Sequence, residues 1–297
     1  MSDELEARPI DWVASVDEHS GRRNMLRAVD VRKSYEAADP SATLLEFRGV
    51  SQTYRSRDGE MVPAVQSVSC AIQPGEFISI LGPSGCGKTT LMMMAAGLLT
   101  PTAGSVVYKG DELTETGSDF GIVFQTPVLF PWRTVQQNVE LPGEVRGVPS
   151  KKRSERAREL LELVGLKDFG KRMPYELSGG MQQRASIARA LALEPALLLM
   201  DEPFGALDAM TREQMNLELQ RLSIQLATTI VFVTHSIAEA AFLSDRIIVM
   251  SQRPSRVLDI VKIDIPRPRD IDLMASDEFG TYVNDLRRLL DRSGEPS

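Results

Sequence analysis

A short, mainly apolar run, Phe77-Ile-Ser-Ile-Leu81, stops at Gly82-Pro-Ser-Gly-Cys-Gly-Lys-Thr89. No other feature of the chain narrows its possible folds as far. The run reads as a buried strand and the stretch from Lys88 to about Leu98 as a helix. The segment joining them has the form G-x-x-x-x-G-K-[ST], a phosphate-binding loop, and strand–loop–helix is the context that gives this motif its meaning. Gly82, Gly85 and Gly87 let backbone amides close around the terminal phosphates of a nucleotide, with Pro83, Ser84 and Cys86 completing the loop. Lys88 adds a point charge, and Thr89, followed by Thr90, places a hydroxyl to ligate Mg²⁺. The loop predicts a nucleoside triphosphate ligand and, by itself, leaves many functions open.

A second apolar run, Ala196-Leu-Leu-Leu-Met200, ends in Asp201 and Glu202. In an open α/β sheet ligands bind beyond the carboxyl ends of the strands, which is where this run delivers its carboxylates. Asp201 is placed to hold Mg²⁺ through water, and Glu202 to serve as general base for an attacking water. An Asp-Glu pair at a strand end is otherwise an ordinary helix-start signal. The phosphate loop upstream turns it toward catalysis. Between the two runs stands Leu177-Ser-Gly-Gly-Met-Gln-Gln-Arg184, whose Ser178, Gly179 and Gly180 open a predicted helix over Ser178–Leu191. Its bare backbone N–H groups and helix dipole offer a second grip on phosphate.

Strands and helices alternate along much of the chain, which indicates a mostly parallel α/β sheet covered on both faces. Leu45/Phe47 and Val65–Ile72 alternate as strands, Pro74-Gly75 makes a turn, and Tyr108–Asp111 edges a further small sheet. Phe120–Phe124, Thr229–Thr234 and Arg246–Met250 read as strands, and Thr211–Leu226 as a helix. Ser154–Gly165 carries Ala157, Leu160, Leu161 and Val164 on one helical face, with Gly165 as C-cap. Phe279, Tyr282, Val283, Leu286, Leu289 and Leu290 form the apolar stripe of a last amphipathic helix. Residues 1–43 form an extension, mobile or laid over the surface, where Trp12 and Val13 are the candidate anchors and His19 has no assignable role. The core then spans residues 44–270, with a helical insertion over about 127–191, and residues 271–297 form a tail.

The formal net charge of −7 argues against a nucleic-acid partner, because neutralising phosphates needs a basic face. Cys70 and Cys86 are too few for a disulfide framework and read as free thiols in a reducing compartment. The longest apolar runs fall well short of the ~20 residues of a spanning helix, and the acidic N-terminus has no signal-peptide core. The expectation is a cytoplasmic protein whose membrane role, if it has one, comes through a partner.

With these motifs on the page, LSGGMQQR resembles the signature motif of ATP-binding cassette (ABC) ATPases, which reaches the nucleotide held by a partner subunit. The resemblance covers about Leu44 to Arg269, with the expected motifs in order. It implies a phosphate-loop α/β core with an antiparallel β subdomain and an inserted helical subdomain, ATP and Mg²⁺ as cofactors, and a homodimer. It implies roles for four residues that are bland when read alone. Gln125 matches the glutamine that contacts Mg²⁺ and the attacking water, His235 the switch histidine at the γ-phosphate, and Asp208 the loop that communicates across the dimer. Tyr54 matches the aromatic that stacks on adenine, a contact worth about 1–3 kcal/mol by analogy with single-strand binders.

A finer likeness lies in Leu129-Phe-Pro-Trp-Arg-Thr134, Arg253-Pro-Ser-Arg-Val257 and Ile265-Pro-Arg-Pro-Arg-Asp270, which look like the nitrate/sulfonate/taurine importer ATPases. That branch implies a peripheral subunit on the inner face of the cell membrane, docked on separate permease subunits and served indirectly by a periplasmic or lipid-anchored solute-binding protein. The N-terminal extension is longer than the branch leads one to expect. The alternative is a soluble ABC ATPase with a non-transport role. It would need a long coiled-coil insertion or a second cassette, and this chain has room for neither. A catalytically dead scaffold would lack Glu202 or His235, and both are present.

Overall fold

The structure is a computed structural model that describes residues 43–292, apart from Ser118 and Ala206. Trp12, Val13, His19 and the rest of the expected extension up to residue 42 lie outside the described residues. Strand β1 (Leu45–Arg55) turns Leu45, Phe47 and Val50 inward and pairs antiparallel with β2 (Met61–Ile72). Next come β3 (Phe77–Leu81), helix α1 (Lys88–Ala95), β4 (Ala103–Tyr108), β5 (Asp111–Glu112) and β6 (Phe120–Val123). Helices α2 (Val135–Val145), α3 (Ser150–Leu163) and α4 (Gly179–Ala190) follow, then β7 (Leu197–Asp201), α5 (Ala209–Leu226) and β8 (Thr229–Thr234). The chain continues through α6 (Ile237–Leu243), β9 (Arg246–Met250) and β10 (Val257–Lys262) to α7 (Asp277–Arg292).

Among the described residues the strands form two sheets, an antiparallel one of order β2-β1-β4-β5 and a six-stranded one of order β10-β9-β3-β8-β7-β6. The larger is parallel from β9 to β6, with β10 antiparallel at its edge. Its central strands read as continuous apolar runs because both faces are covered. Ile78, Ile80, Leu197, Leu199, Val231, Val233, Ile248 and Met250 pack with α1 and the antiparallel sheet. Their alternates Phe77, Leu81, Leu198, Met200, Ile230, Phe232, Ile247 and Val249 pack with the helices of the other face. The two-residue period of a strand thus divides each run between two cores.

The α/β fold class read from the sequence holds, and several boundaries move. The helix after the phosphate loop ends at Ala95 rather than near Leu98. Gly97 takes φ +66°, and a Cβ there would lie 2.5 Å from the Glu115 backbone, so the chain must turn at this point. The expected helix over Ser154–Gly165 starts at Ser150 and stops at Leu163, with Gly165 left-handed just beyond it. The strand expected over Ala196–Met200 is shifted by one residue, to Leu197–Asp201.

Helices α2 and α6 and strand β10 were not singled out in the sequence. The first two carried a readable signal: Thr134 and Gln137 form a capping box at α2, and Ser236 caps α6 by accepting from Glu239 N. The amphipathic α7 buries Phe279 and Leu286 against the helical-face core. Leu286→Ala leaves a cavity there and should destabilise the protein by about 2–5 kcal/mol, read as a shift of the urea unfolding midpoint. A change below ~0.5 kcal/mol, the scale of a neutral surface substitution, would show that α7 is not held by this face.

Candidate active site

The ladder pairs Leu81 of β3 with Thr234 of β8, and Asp201 of β7 with Val233 of β8. Gly82, Glu202 and His235 therefore leave the sheet together at its carboxyl edge. Two glycines of the phosphate loop, Gly82 and Gly87, stand where a side chain has little room. A Cβ on Gly82 would lie 2.9 Å from Cys86 Sγ, and Gly87, at φ +113°, has the Ala64 carbonyl oxygen 3.1 Å from where a Cβ would sit. Lys88 is only 4% exposed. Its ammonium donates to the carbonyls of Gly82 and Pro83, both at 3.0 Å, and lies 3.3 Å from Glu202 Oε1. The thiol of Cys86 is buried, and burial pushes its pKa up.

Thr89 Oγ1 donates to both oxygens of Asp201, at 3.1 and 2.9 Å. Burial raises the Asp201 pKa most; the Thr89 hydroxyl opposes the rise and the Glu202 carboxylate adds to it. Glu202 continues the β7–β8 ladder by donating its N–H to the Val233 carbonyl at 2.9 Å. It holds φ +40°, a strained conformation for a side chain of this kind. Its second oxygen, Oε2, stands 2.9 Å from Nδ1 of the half-exposed His235. Gln125 is exposed just beyond β6, and a Cβ on Gly205 would come within 3.8 Å of its amide nitrogen. Its loop is tied to α4 by Gln183, which donates to the Phe124 carbonyl at 3.4 Å, and by Arg189, which donates to the Val128 carbonyl. Tyr54 reaches the first turn of α1, its hydroxyl 3.2 Å from Thr90 Oγ1.

The structure thus brings the phosphate loop, Tyr54, Asp201, Glu202 and His235 into one connected cluster, with Gln125 beside the turn after Glu202. Ser178, Gly179 and Gly180 are not part of it. Ser178 caps α4 by accepting from Met181 N at 3.4 Å, and a Cβ on Gly179 would meet nothing within 4 Å. Among the described residues no hydrogen bond or ion pair joins these three to the cluster. Asp208 is the N-cap of α5, where its carboxylate accepts from the N–H and hydroxyl of Thr211, and these bonds hold its pKa low. The sequence did not single out Arg212, Thr234 or Glu239, which link the Asp208 turn to the base of His235.

The ABC transporter family profile matches residues 65–205. The chain is 44% identical over 215 residues to the taurine import ATP-binding protein TauB of Roseobacter denitrificans, which covers 72% of this chain and 80% of that protein. It is 42% identical over 246 residues to the nitrate import ATP-binding protein NrtC of Synechococcus elongatus, covering 81% of this chain and 37% of that one. A solved dimeric ATP-binding cassette in a post-hydrolysis state, bound to ADP and Pi, superposes with TM-score 0.68 at 34% identity, over 75% of this chain and all of the other. The fold and these relatives make the chain a member of the ABC transporter family, with the ATP-binding and ATP-hydrolysing activity of its cassettes. Within the family it falls in the nitrate/sulfonate/taurine branch.

A carboxyl whose folded pKa is raised destabilises the fold where it is ionised. That penalty fades as pH falls toward the unfolded pKa of about 3.9, below which both states are protonated. Asp201→Asn keeps an oxygen for Thr89. It should raise the thermal midpoint of the nucleotide-free protein at about pH 7, with a margin that shrinks toward about pH 4. A midpoint lowered at neutral pH would contradict the assigned cause.

Proposed function

We propose that this chain is the ATPase subunit of a bacterial importer for a small anionic solute of the nitrate, sulfonate or taurine type, working on separate permease subunits. What carries the hydrolytic part is Glu202. One of its oxygens faces Lys88 and the other faces His235, at the end of a strand that also presents Asp201. A γ-phosphate that takes over the charge of Lys88 releases Glu202 toward water, and the released carboxylate accepts the proton of the attacking water. His235 is exposed enough to contact the same phosphate. The phosphate loop from Gly82 to Thr90 holds the remaining phosphates, and Tyr54 stacks on the base.

The donor set also suits Mg²⁺. Thr89 Oγ1 and the Asp201 carboxylate are hard oxygen ligands already in contact, and Gln125 adds an amide oxygen. Among the described residues no cluster of three or more acidic, His or Cys side chains forms a protein cage. That fits an ion bound largely by phosphate and water. Bound there, Mg²⁺ would neutralise charge on the phosphates.

The exposed start of α4 supports a shared site, in which Ser178, Gly179 and Gly180 of a second copy close over the nucleotide and Asp208 lies at the seam. ATP binding the closed dimer preferentially would drive the permease between its states. No helix among the described residues is long and apolar enough to cross a membrane, so membrane attachment in this reading runs through the permease. A solute-binding protein would act on the far side of it.

The docking point we assign is the loop around Phe130 and Trp132. Asn138, fully buried, accepts from Phe130 N at 2.7 Å and donates to the carbonyls of Phe130, Arg133 and Thr134. That network holds out Trp132, 70% exposed and with its ring centroid 5.1 Å from that of Phe130. A large aromatic displayed on a rigid loop suits a protein contact better than solvent.

Glu202→Gln should slow steady-state hydrolysis by about 10²–10⁴ while retaining ATP binding, and should accumulate a nucleotide-bound dimer on size exclusion. Near-normal turnover would remove Glu202 from the role of base. Trp132→Glu should leave basal ATPase unchanged and abolish co-sedimentation with membranes carrying the permease. A substituted protein that still sediments and supports uptake would move the docking site elsewhere.

A further inference from the structure

The turn at Asp208 and the segment around His235 are joined by side chains that neither role explains. Arg212, in the first turn of α5, donates from Nη2 to the Leu207 carbonyl at 2.9 Å. Its Nε lies 3.5 Å from Oε1 of Glu239 in α6. The other oxygen of Glu239 accepts from the Thr234 hydroxyl at 2.6 Å, and that hydroxyl in turn accepts from Ser236 N at 2.9 Å. Thr234 and Ser236 flank His235, whose imidazole meets Glu202. A chain of contacts therefore runs from the Leu207 carbonyl to the residues flanking His235, closed between Arg212 and Glu239 by an ion pair without a hydrogen bond from the buried Arg212 Nε.

Glu239 is 6% exposed, and burial raises its pKa. A carboxylate in such a place is expensive unless paired, and an apolar residue of similar volume is commonly no worse for stability. Capping does not require its side chain, because Ser236 already caps α6 by accepting from Glu239 N at 3.3 Å. Both of its oxygens are engaged by Thr234 and Arg212. Arginine suits the other end because its planar fork can face a carbonyl and a carboxylate at once, which a lysine ammonium on a flexible stem does less well. The same turn also carries the start of α4: a Cβ on Gly180 would lie 3.2 Å from Thr211 Cγ2 and 3.3 Å from Leu207 Cδ2.

We propose that Arg212 and Glu239 position His235 against Glu202 and tie that position to the Leu207–Asp208 turn, so that a displacement of the turn is felt at the catalytic pair. This rests on the catalytic reading of Glu202 and His235 given above. Arg212 and Glu239 are positioning residues, which act through Thr234 and His235 and touch no nucleotide.

The test uses full-length Arg212→Ala, Arg212→Lys, Glu239→Gln and the Ala/Gln double variant, with His235→Ala as reference. Each is measured for steady-state ATPase, for nucleotide affinity by fluorescence titration, and for the imidazole ¹H–¹⁵N signals. The chain has two histidines, so His19→Gln leaves His235 alone in the spectrum. The expected result is a kcat about 10- to 100-fold lower for Arg212→Ala and Glu239→Gln, the scale of a small misplacement of a reacting group, with nucleotide affinity unchanged. The double variant should be no slower than the slower single one, as for residues acting through one contact.

The His235 signal should move in Arg212→Ala and return part of the way in Arg212→Lys. Asp208→Ala should move it in the wild-type background and not in Arg212→Ala. Additive losses, unchanged rates, or lost rate with an unmoved His235 signal would overturn the link. Should Arg212→Ala fail to fold, the volume-conserving Lys and Gln variants carry the same test. Wild-type turnover in His235→Ala would sink the catalytic reading and the link together. A slow His235→Ala beside fast Arg212 and Glu239 variants would sink the link alone.

Discussion

In the ladder joining β3, β8 and β7, Leu81 lies opposite Thr234 and Asp201 opposite Val233, so the residue after each strand leaves the sheet beside the others. The candidate chemistry depends on that shared level. A slip of one residue would turn a strand's side chains to the opposite face, mixing the two cores and carrying Glu202 away from Lys88. The register is secured by burial: each central strand sends alternate apolar side chains into two different cores, and only one alignment satisfies both.

That frame holds a cluster that is unfavourable by itself. Lys88 is buried, Asp201 is buried with its pKa raised, and Glu202 occupies a strained backbone conformation. Strain and buried charge collected at one end of a well-packed sheet are features that cluster at functional sites. The surrounding contacts limit the penalty. Two backbone carbonyls meet Lys88, the Thr89 hydroxyl meets Asp201, and the Val233 carbonyl takes the Glu202 N–H.

The helical face gives the cluster its connections. Gln183 and Arg189 hold the loop that bears Gln125 against α4, while the Gly180 end of that helix rests on the turn before α5. In the proposed dimer α4 would grip a second copy's nucleotide. The same helix is then in contact with the Gln125 loop, which faces the proposed permease contact, and with the Asp208 turn, which leads to His235. In that proposal one helix touches the Gln125 loop, the Asp208 turn and the partner's nucleotide.

The phosphate loop, the Asp201-Glu202 pair and the buried strands were legible in the sequence because each is written in neighbouring residues: glycines where backbone must approach phosphate, and apolar runs of strand length. The amphipathic period of α7 was legible too, but the sequence named no surface to cover it; the fold supplies the helical-face core. Tyr54, Gln125, Asp208 and His235 stood out only by their order along the chain, since a lone polar residue carries no local signature. Arg212 and Glu239 were illegible, because their meeting joins two helices separated by β8. Local sequence determined which elements form and which of them carry phosphate chemistry. Tertiary structure alone decided which strand ends share a level and which buried charges meet, because register and long-range pairing are settled by burial on both faces of the sheet at once.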